Sequence, residues 1–228
     1  MNAVPVPVLR PDFKSSLLEG IPPSDLKVIV AEARVRRLFA RQVPTHEGDP
    51  ATHLLLLTSG RARYYTLSPD GQTSLIHWIV PGDTMGLQAL LPQPVSYLAS
   101  TEVVKDGQAL VWDRATIRGL AARYPRLFEN ALVIASNFIR RFISIHQGLT
   151  SQTAEERLAQ VVLDLSDRIG HTCARGVEFE LTNEHLATMA SVSVFTASRM
   201  MSVWQRRGAI AKSRGKIVLR SPERLLQQ

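Results

Sequence analysis

The side chains able to do covalent or metal chemistry in this 228-residue sequence are few and scattered. Cys173 is the single cysteine, and His46, His53, His77, His146, His171 and His185 are the only histidines. One thiol cannot close an intrachain disulfide or build a multi-cysteine metal cluster. No nucleophile–base pair, acid pair or His–carboxylate cluster stands around these residues, so an enzyme is not expected and no metal ligand set is read. The chemistry that the sequence does concentrate is cationic. Residues 194–228 hold Arg199, Arg206, Arg207, Lys212, Arg214, Lys216, Arg220 and Arg224 against Glu223 alone, which accounts for the whole net charge of +7. Clustered guanidinium and ammonium groups gain affinity for polyanions by releasing counterions from phosphates, whereas a merely solvated basic tail needs no ordered framework.

The framework is legible in "LTNEHLATMASVSVFTASRMMSVWQRRGAI". Thr182 can cap a short helix running to about Ala190, Ser191 and Val192 make a tight turn, and Ser193 can cap a second helix ending at Gly208. Ala197, Met200, Met201 and Trp204 form the inward stripe of that second helix, and Leu186 and Met189 of the first helix should meet it. Two helices joined by three or four residues give helix-turn-helix geometry, whose second helix enters a major groove by its N-terminal end. "AIAKSRGKIVL" then reads as strand, basic turn and strand, a wing carrying Lys212, Arg214 and Lys216. Val194 and Phe195 break the pattern, since two apolar residues at the head of the second helix lie off its inward stripe.

The remaining chain has two textures. "SSLLEGIPPSDLKVIVAEARVRRLFARQ" spaces Leu26, Ile29, Val30 and Ala33 as a helix, with Ser24 as its expected cap. From about 36 to 112, short apolar runs are cut by Pro-Asp-Gly and Pro-Gly-Asp turns, the mark of a β-rich domain. Helical spacing returns in "RATIRGLAARYPRLFENALVIASNFIRRFISIHQGLT", where heptads align Tyr124, Leu127, Ala131, Ile134, Phe138 and Ile145, with Arg141 as the polar exception. That stripe either packs on a twin helix in a homodimer or lies on the β domain. A further helix over "SQTAEERLAQVVLDLSDRIG" should end at Gly170. No apolar run approaches the roughly 18 residues that a membrane span needs, and "MNAVPVPVLRPDFK" lacks a basic-then-apolar signal pattern, so a cytoplasmic location and no membrane partner are expected.

In order, spacing and charge distribution, residues 15–225 resemble the CRP/FNR family of bacterial transcription regulators. The resemblance rests on "SGRARYYTLSPDGQTSLIHWIVPGDTMG", on the long helical stretch and on "LATMASVSVFTASRMMSVWQRRGAI". It implies an α+β chain in three parts: a cyclic-nucleotide-binding-like, jelly-roll-like β-roll (a double-stranded β-helix) over 1–123, a long dimerisation helix over 124–150, and a winged helix-turn-helix domain over 151–228. It also implies a homodimer on an inverted-repeat site in double-stranded promoter DNA, contacting RNA polymerase as an activator would. "SRMMSVWQRRG" is similar to the nitrogen-oxide-responsive NnrR-type branch.

Carried over by position, Arg199 matches the recognition-helix arginine that reads guanine through O6 and N7. Ser193 and Thr196 match positions that meet the DNA backbone, and Thr182 and Ser198 complete the set with Lys212, Arg214 and Lys216 of the wing. Val194 and Phe195 fall where cyclic-AMP-type members carry an arginine and a glutamate. The dimerisation stripe would be Leu127, Ala131, Ile134, Phe138, Arg141 and Ile145. Cyclic AMP does not fit, because Leu87 stands at the ribose-binding glutamate and Tyr97 and Leu98 at the phosphate-binding pair. An iron–sulfur cluster fails for want of thiolates. An effector pocket of His77, Met85, Leu87, Tyr97 and Phe138 is expected instead, with haem on His77, as in nitric oxide or carbon monoxide sensors, or no effector at all as the alternatives.

Overall fold

A computed structural model describes residues 9, 13–68, 70, 71, 73–213 and 216–226. The chain divides into two compact units, Met1–Thr73 with His77–Ile139, and Arg140–Gln228 with Ser74–Ile76. The mixed class expected from the sequence is the one observed: a sheet-rich N-terminal part, a long helix, and a C-terminal helix-turn-helix. No described helix is long and apolar enough to cross a membrane.

The first unit opens with α1 (Pro23–Ala31). Its start differs from expectation. Pro23 occupies the first helical turn, where its missing N–H costs nothing, and Ser24 lies inside the helix with its hydroxyl on Asp25 rather than capping. Ile29 and Val30 are buried, and the Ile29 carbonyl accepts from the indole Nε1 of fully buried Trp112 at 2.8 Å.

An antiparallel sheet in the order β1 (Arg34–Leu38), β5 (Ser100–Asp113), β2 (His53–Leu67), β3 (Thr73–Ile79) forms the body, with β4 (Thr84–Met85) pairing β2. β2 buries four consecutive leucines because each of its faces has its own core. Leu54 and Leu56 join a cluster with α1, Trp112 and the following helices, while Leu55 and Leu57 join Leu38, Met85, Val103 and Ala109 on the other side. The long β2–β5 pair slips register between Leu57 and Ala62, and Gly60 and Gly107 sit at the slip. A Cβ on Gly107 would clash with the Ser59 carbonyl, so the strands meet there only because both residues are glycine.

Strand β5 hands over to α2 (Arg114–Arg123) through Asp113, whose carboxylate accepts from the Thr116 N–H at 2.9 Å and the Thr116 hydroxyl at 3.0 Å. α3 (Arg126–Ser151) follows, 26 residues long. The stripe expected to pack on a twin is, in large part, the face this helix turns to its own chain. Leu127 and Ala131 are buried in the α1–Trp112 cluster, with Tyr124 and Ile134 packed against it. Phe138 packs on Tyr64 and His77, and Arg141 reaches Asp164 at 3.5 Å. A second stripe, about 100° round the helix, is left uncovered: Phe128, Leu132, Ile139, Phe142 and Ile143 are 47–68% exposed. A helix apolar on two faces offers two such registers.

The Asp113 cap gives the first prediction. Its carboxyl is held below the usual carboxylate range by the Thr116 N–H first and the Thr116 hydroxyl second, with Arg34 adding less. A depressed folded pKa stabilises fully above the unfolded value of about 4 and is lost as pH falls through the folded one. Asp113→Ala should cost about 1 kcal/mol at neutral pH by denaturant titration, and the difference from wild type should shrink as the pH drops below about 4.

Candidate nucleic-acid interface

The second unit is built to hold one helix by one face. α4 (Ala154–Ile169) starts at a complete capping box, in which the Thr153 hydroxyl accepts from the Glu156 N–H and Glu156 accepts from the Thr153 N–H. Its Leu158, Val162, Leu165 and Ile169 are buried. A four-stranded sheet in the order β6 (His171–Cys173), β7 (Gly176–Glu180), β9 (Lys216–Leu219), β8 (Ile210–Ser213) adds Phe179, Ile210, Ile217 and Leu219 to the core.

Into this frame fit α5 (Asn183–Ala190) and α6 (Val194–Arg206). The Thr182 hydroxyl accepts from the His185 N–H, and the Ser193 hydroxyl accepts from the Thr196 N–H at 3.0 Å, so both expected caps are in place. The turn between them depends on Ser191, which adopts the left-handed region (φ 52, ψ 52), unusual for a non-glycine residue. Val192 then donates back to the Ala187 carbonyl at 2.9 Å.

The side chain that pins this turn is one that sequence patterning did not single out. Arg157 of α4 donates Nε to the Ala190 carbonyl at 3.0 Å and Nη1 to the Gln152 carbonyl at 2.8 Å, with Nη2 3.4 Å from the Ser191 carbonyl. A cation on the open C-terminal carbonyls of α5 satisfies groups the helix cannot pair and complements its dipole. An arginine in the first turn of an amphipathic helix carries no motif, so only the fold reveals its role.

α6 buries Ala197, Met200, Met201 and Trp204, as its spacing implied, and Trp204 donates Nε1 to the Leu225 carbonyl at 2.8 Å. The opposite face is left open. Val194 is 45% exposed and Phe195 77%, Ser198 and Arg199 are exposed, and no carboxylate among the described residues pairs with Arg199. The wing strands form as expected, while Arg214 lies outside the described residues. Lys212 donates to Asn183 Oδ1 at 2.9 Å, and Lys216 bonds Glu178 at 2.8 Å. That contact holds the Glu178 carboxyl below and the Lys216 ammonium above their usual values. Both lysines are exposed, and exposed pairs of this kind bind weakly enough for a phosphate to displace them.

The expected effector residues of the first unit do not line one pocket. Met85 is 2% exposed in one core cluster, and Leu87 packs on the other, across the sheet. The Tyr97 hydroxyl is committed to the His53 backbone, accepting from its N–H and donating to its carbonyl at 3.1 Å each. His77 and Phe138 do meet, with ring centroids 5.5 Å apart, and Tyr64 lies 5.2 Å from His77. Burial, helped by the Glu47 carboxylate, pushes the Tyr64 phenol up to about 12, so it stays protonated. Tyr64 and Phe138 also meet each other edge to face, with centroids 6.3 Å apart, so the three rings form one cluster.

Comparisons with known proteins agree with this geometry. Residues 35–124 match the cyclic nucleotide-binding domain family, and residues 156–228 match the Crp-like helix-turn-helix domain family. Together these cover more than half of the chain. The chain belongs to the CRP/FNR family of transcriptional regulators. It is 24% identical over 218 residues, 94% of this chain and 96% of the relative, to the CRP-like cAMP-activated global transcriptional regulator of Mycobacterium tuberculosis. It is 25% identical to the cyclic AMP receptor protein of Thermus thermophilus, covering 90% of this chain and 93% of that one. The structure of FixK2 from Bradyrhizobium japonicum superimposes with a TM-score of 0.72 at 22% identity, covering 85% of this chain and 95% of that one. The CRP/FNR chain described here is thus a transcriptional regulator with a DNA-binding helix-turn-helix.

Removing the Arg157 clamp should loosen this reading head selectively. Arg157→Leu is expected to cost about 1.5–3 kcal/mol, the range for hydrogen bonds to a charged group. Hydrogen exchange should accelerate at the Ser191 and Val192 amides and stay unchanged at Leu54–Leu57.

Proposed function

We propose that the protein is a homodimer that binds an inverted-repeat promoter site through two copies of α6. The carrying observation is the uncovered head of that helix, where Arg199 is exposed and unpaired among the described residues beside exposed Val194 and Phe195. In the proposed complex Arg199 donates two hydrogen bonds to guanine O6 and N7, and Val194 and Phe195 pack on a neighbouring thymine methyl. Thr182, Ser193, Thr196 and Ser198 meet the DNA backbone, with Lys212, Lys216 and Arg214 giving sequence-independent phosphate contacts. Two apolar residues in place of an arginine–glutamate pair exclude the half-site that such a pair reads.

Dimerisation in this reading uses the uncovered stripe of α3 rather than Leu127, Ala131, Ile134 and Arg141, which are satisfied within the chain. Leu132, Ile139 and Phe142, at 60–68% exposure, provide the apolar area a twin helix would cover. Ile145, five turns beyond Leu127 on the first stripe, is 40% exposed. The division into a sensor part over 1–123, a dimerisation helix over 124–150 and a DNA-binding part over 151–228 follows from these roles. The signal is not cyclic AMP, since Leu87 gives the ribose no carboxylate, and Leu98 and the Tyr97 hydroxyl, already bonded to the His53 backbone, offer no donor to a cyclic phosphate. Contact with RNA polymerase in the cytoplasm completes the proposal.

Three outcomes test it. Arg199→Ala should weaken binding by roughly 1–3 kcal/mol and relax base preference at one position, whereas Lys212→Ala should weaken all sequences alike; identical effects from the two variants would overturn the assignment. Affinity must fall steeply with salt, since phosphate contacts release counterions. Ile139→Glu should yield a stable monomer by sedimentation, while Leu127→Ala should cost about 2–5 kcal/mol of folding free energy instead.

A further inference from the structure

Strand β1 is an edge strand with an unusual face. Its alternation puts Arg34, Arg36 and Leu38 on one side of the sheet. The register carries that side across the sheet: Arg34 pairs with Val111, Val111 with Leu55, and Leu55 with Met85, while Arg36 pairs with Ala109 and Ala109 with Leu57. Leu38, Leu55, Leu57, Met85 and Ala109 are buried together in one cluster, with Val111 packed against it. Two arginines therefore stand at the rim of the sheet's apolar face, about 7 Å apart along the strand, where binary patterning would put hydrophobic side chains.

The segment from Pro44 to His53 closes the other side, and the space between is a half-open cleft of about 720 Å³. Its floor is Leu55, Val111 and the Tyr97 ring; its rim carries Arg34, Arg36 and His46. The facing wall is fixed by hydrogen bonds rather than loose. Gly48 donates to the Tyr97 carbonyl at 3.0 Å, Tyr97 to the Asp49 carbonyl at 2.9 Å, and Ala51 to the Val95 carbonyl at 2.8 Å. Below them, buried Thr45 donates its hydroxyl to that of Thr101 at 2.9 Å.

Charge in the cleft is lopsided. Three arginines and two histidines line it against one carboxylate, Asp49, which lies 3.7 Å from His46 Nδ1. Arg34 has Asp113 at 3.6 Å, an exposed pair of little strength, and Arg36 has no ion-pair partner among the described residues. A preformed cleft of ligand size, apolar below and cationic at the mouth, matches an amphipathic anion.

We propose that this cleft binds a small organic anion, a carboxylate or phosphate head held by Arg34 and Arg36 with its apolar body on Leu55 and Val111. The site is separate from the His77 cluster and from the DNA-reading helix, so its existence and the proposed function stand or fall independently.

Methyl-resolved NMR titrations of the full chain with octanoate, octyl phosphate and octanol test it. The methyl signals of Leu55 and Val111 should shift saturably with at least one of the anions and at least tenfold more weakly with octanol; the tighter anion identifies the head group. Arg36→Gln should weaken the anion at least fivefold while leaving DNA affinity and the Leu120 methyl signals, which report the neighbouring core, unchanged. Equal binding of octanol, shifts that bypass Leu55 and Val111, or an Arg36→Gln variant that binds like wild type would each overturn the proposal.

Discussion

A helix of thirteen residues with one apolar stripe can be held by that stripe and leave its other face open. α6 is held in this way. Ala197, Met200, Met201 and Trp204 sink into the core, the Trp204 indole is tied to the Leu225 carbonyl, and Ser193 closes the helix start. Because the buried stripe fixes the helix's rotation, the exposed positions of Val194, Phe195 and Arg199 are set without any contact of their own. The left-handed Ser191 and the Arg157 guanidinium on the carbonyls before it fix where that helix begins. The open face is thus a by-product of packing on the far side of the helix, which suits residues that must stay free for a partner.

Periodicity made the second unit nearly transparent in the sequence. Caps at Thr182 and Ser193, the turn at Ser191 and the wing strands all follow from residues within a few positions of one another, and local chemistry decides them. What depends on distant partners was hidden. The Arg157 clamp joins groups 33 and 34 residues away, Lys212 finds Asn183 at the start of α5, and Lys216 finds Glu178 across the β7–β9 pair, none of which a short motif encodes. In the first unit the β-rich texture was legible, yet the pocket residues were not. Met85 and Leu87 are two apart, but Gly86 between them adopts a positive φ of 78, and the two side chains enter cores on opposite sides of the sheet.

α3 illustrates a different limit. Its sequence carries two apolar stripes, one satisfied by the chain's own core and the other exposed, and hydropathy alone weights both alike. Burial separates them: Leu127 is fully covered, whereas Phe142 is 68% exposed. A 26-residue helix with that much uncovered apolar surface is poorly suited to water and well suited to a twin. The uneven charge distribution points to the same division of labour, with the cations gathered on the C-terminal residues and the rest of the chain electrically balanced.

The reading of guanine by Arg199 from a symmetric pair of recognition helices is tested most directly by dimethyl sulfate protection on a selected DNA site. Wild-type protein should shield the N7 of one guanine in each half-site, the two lying about one helical turn (34–36 Å) apart, and Arg199→Ala should abolish the shielding at both. Protection at a single guanine, or shielding that survives Arg199→Ala, would contradict it.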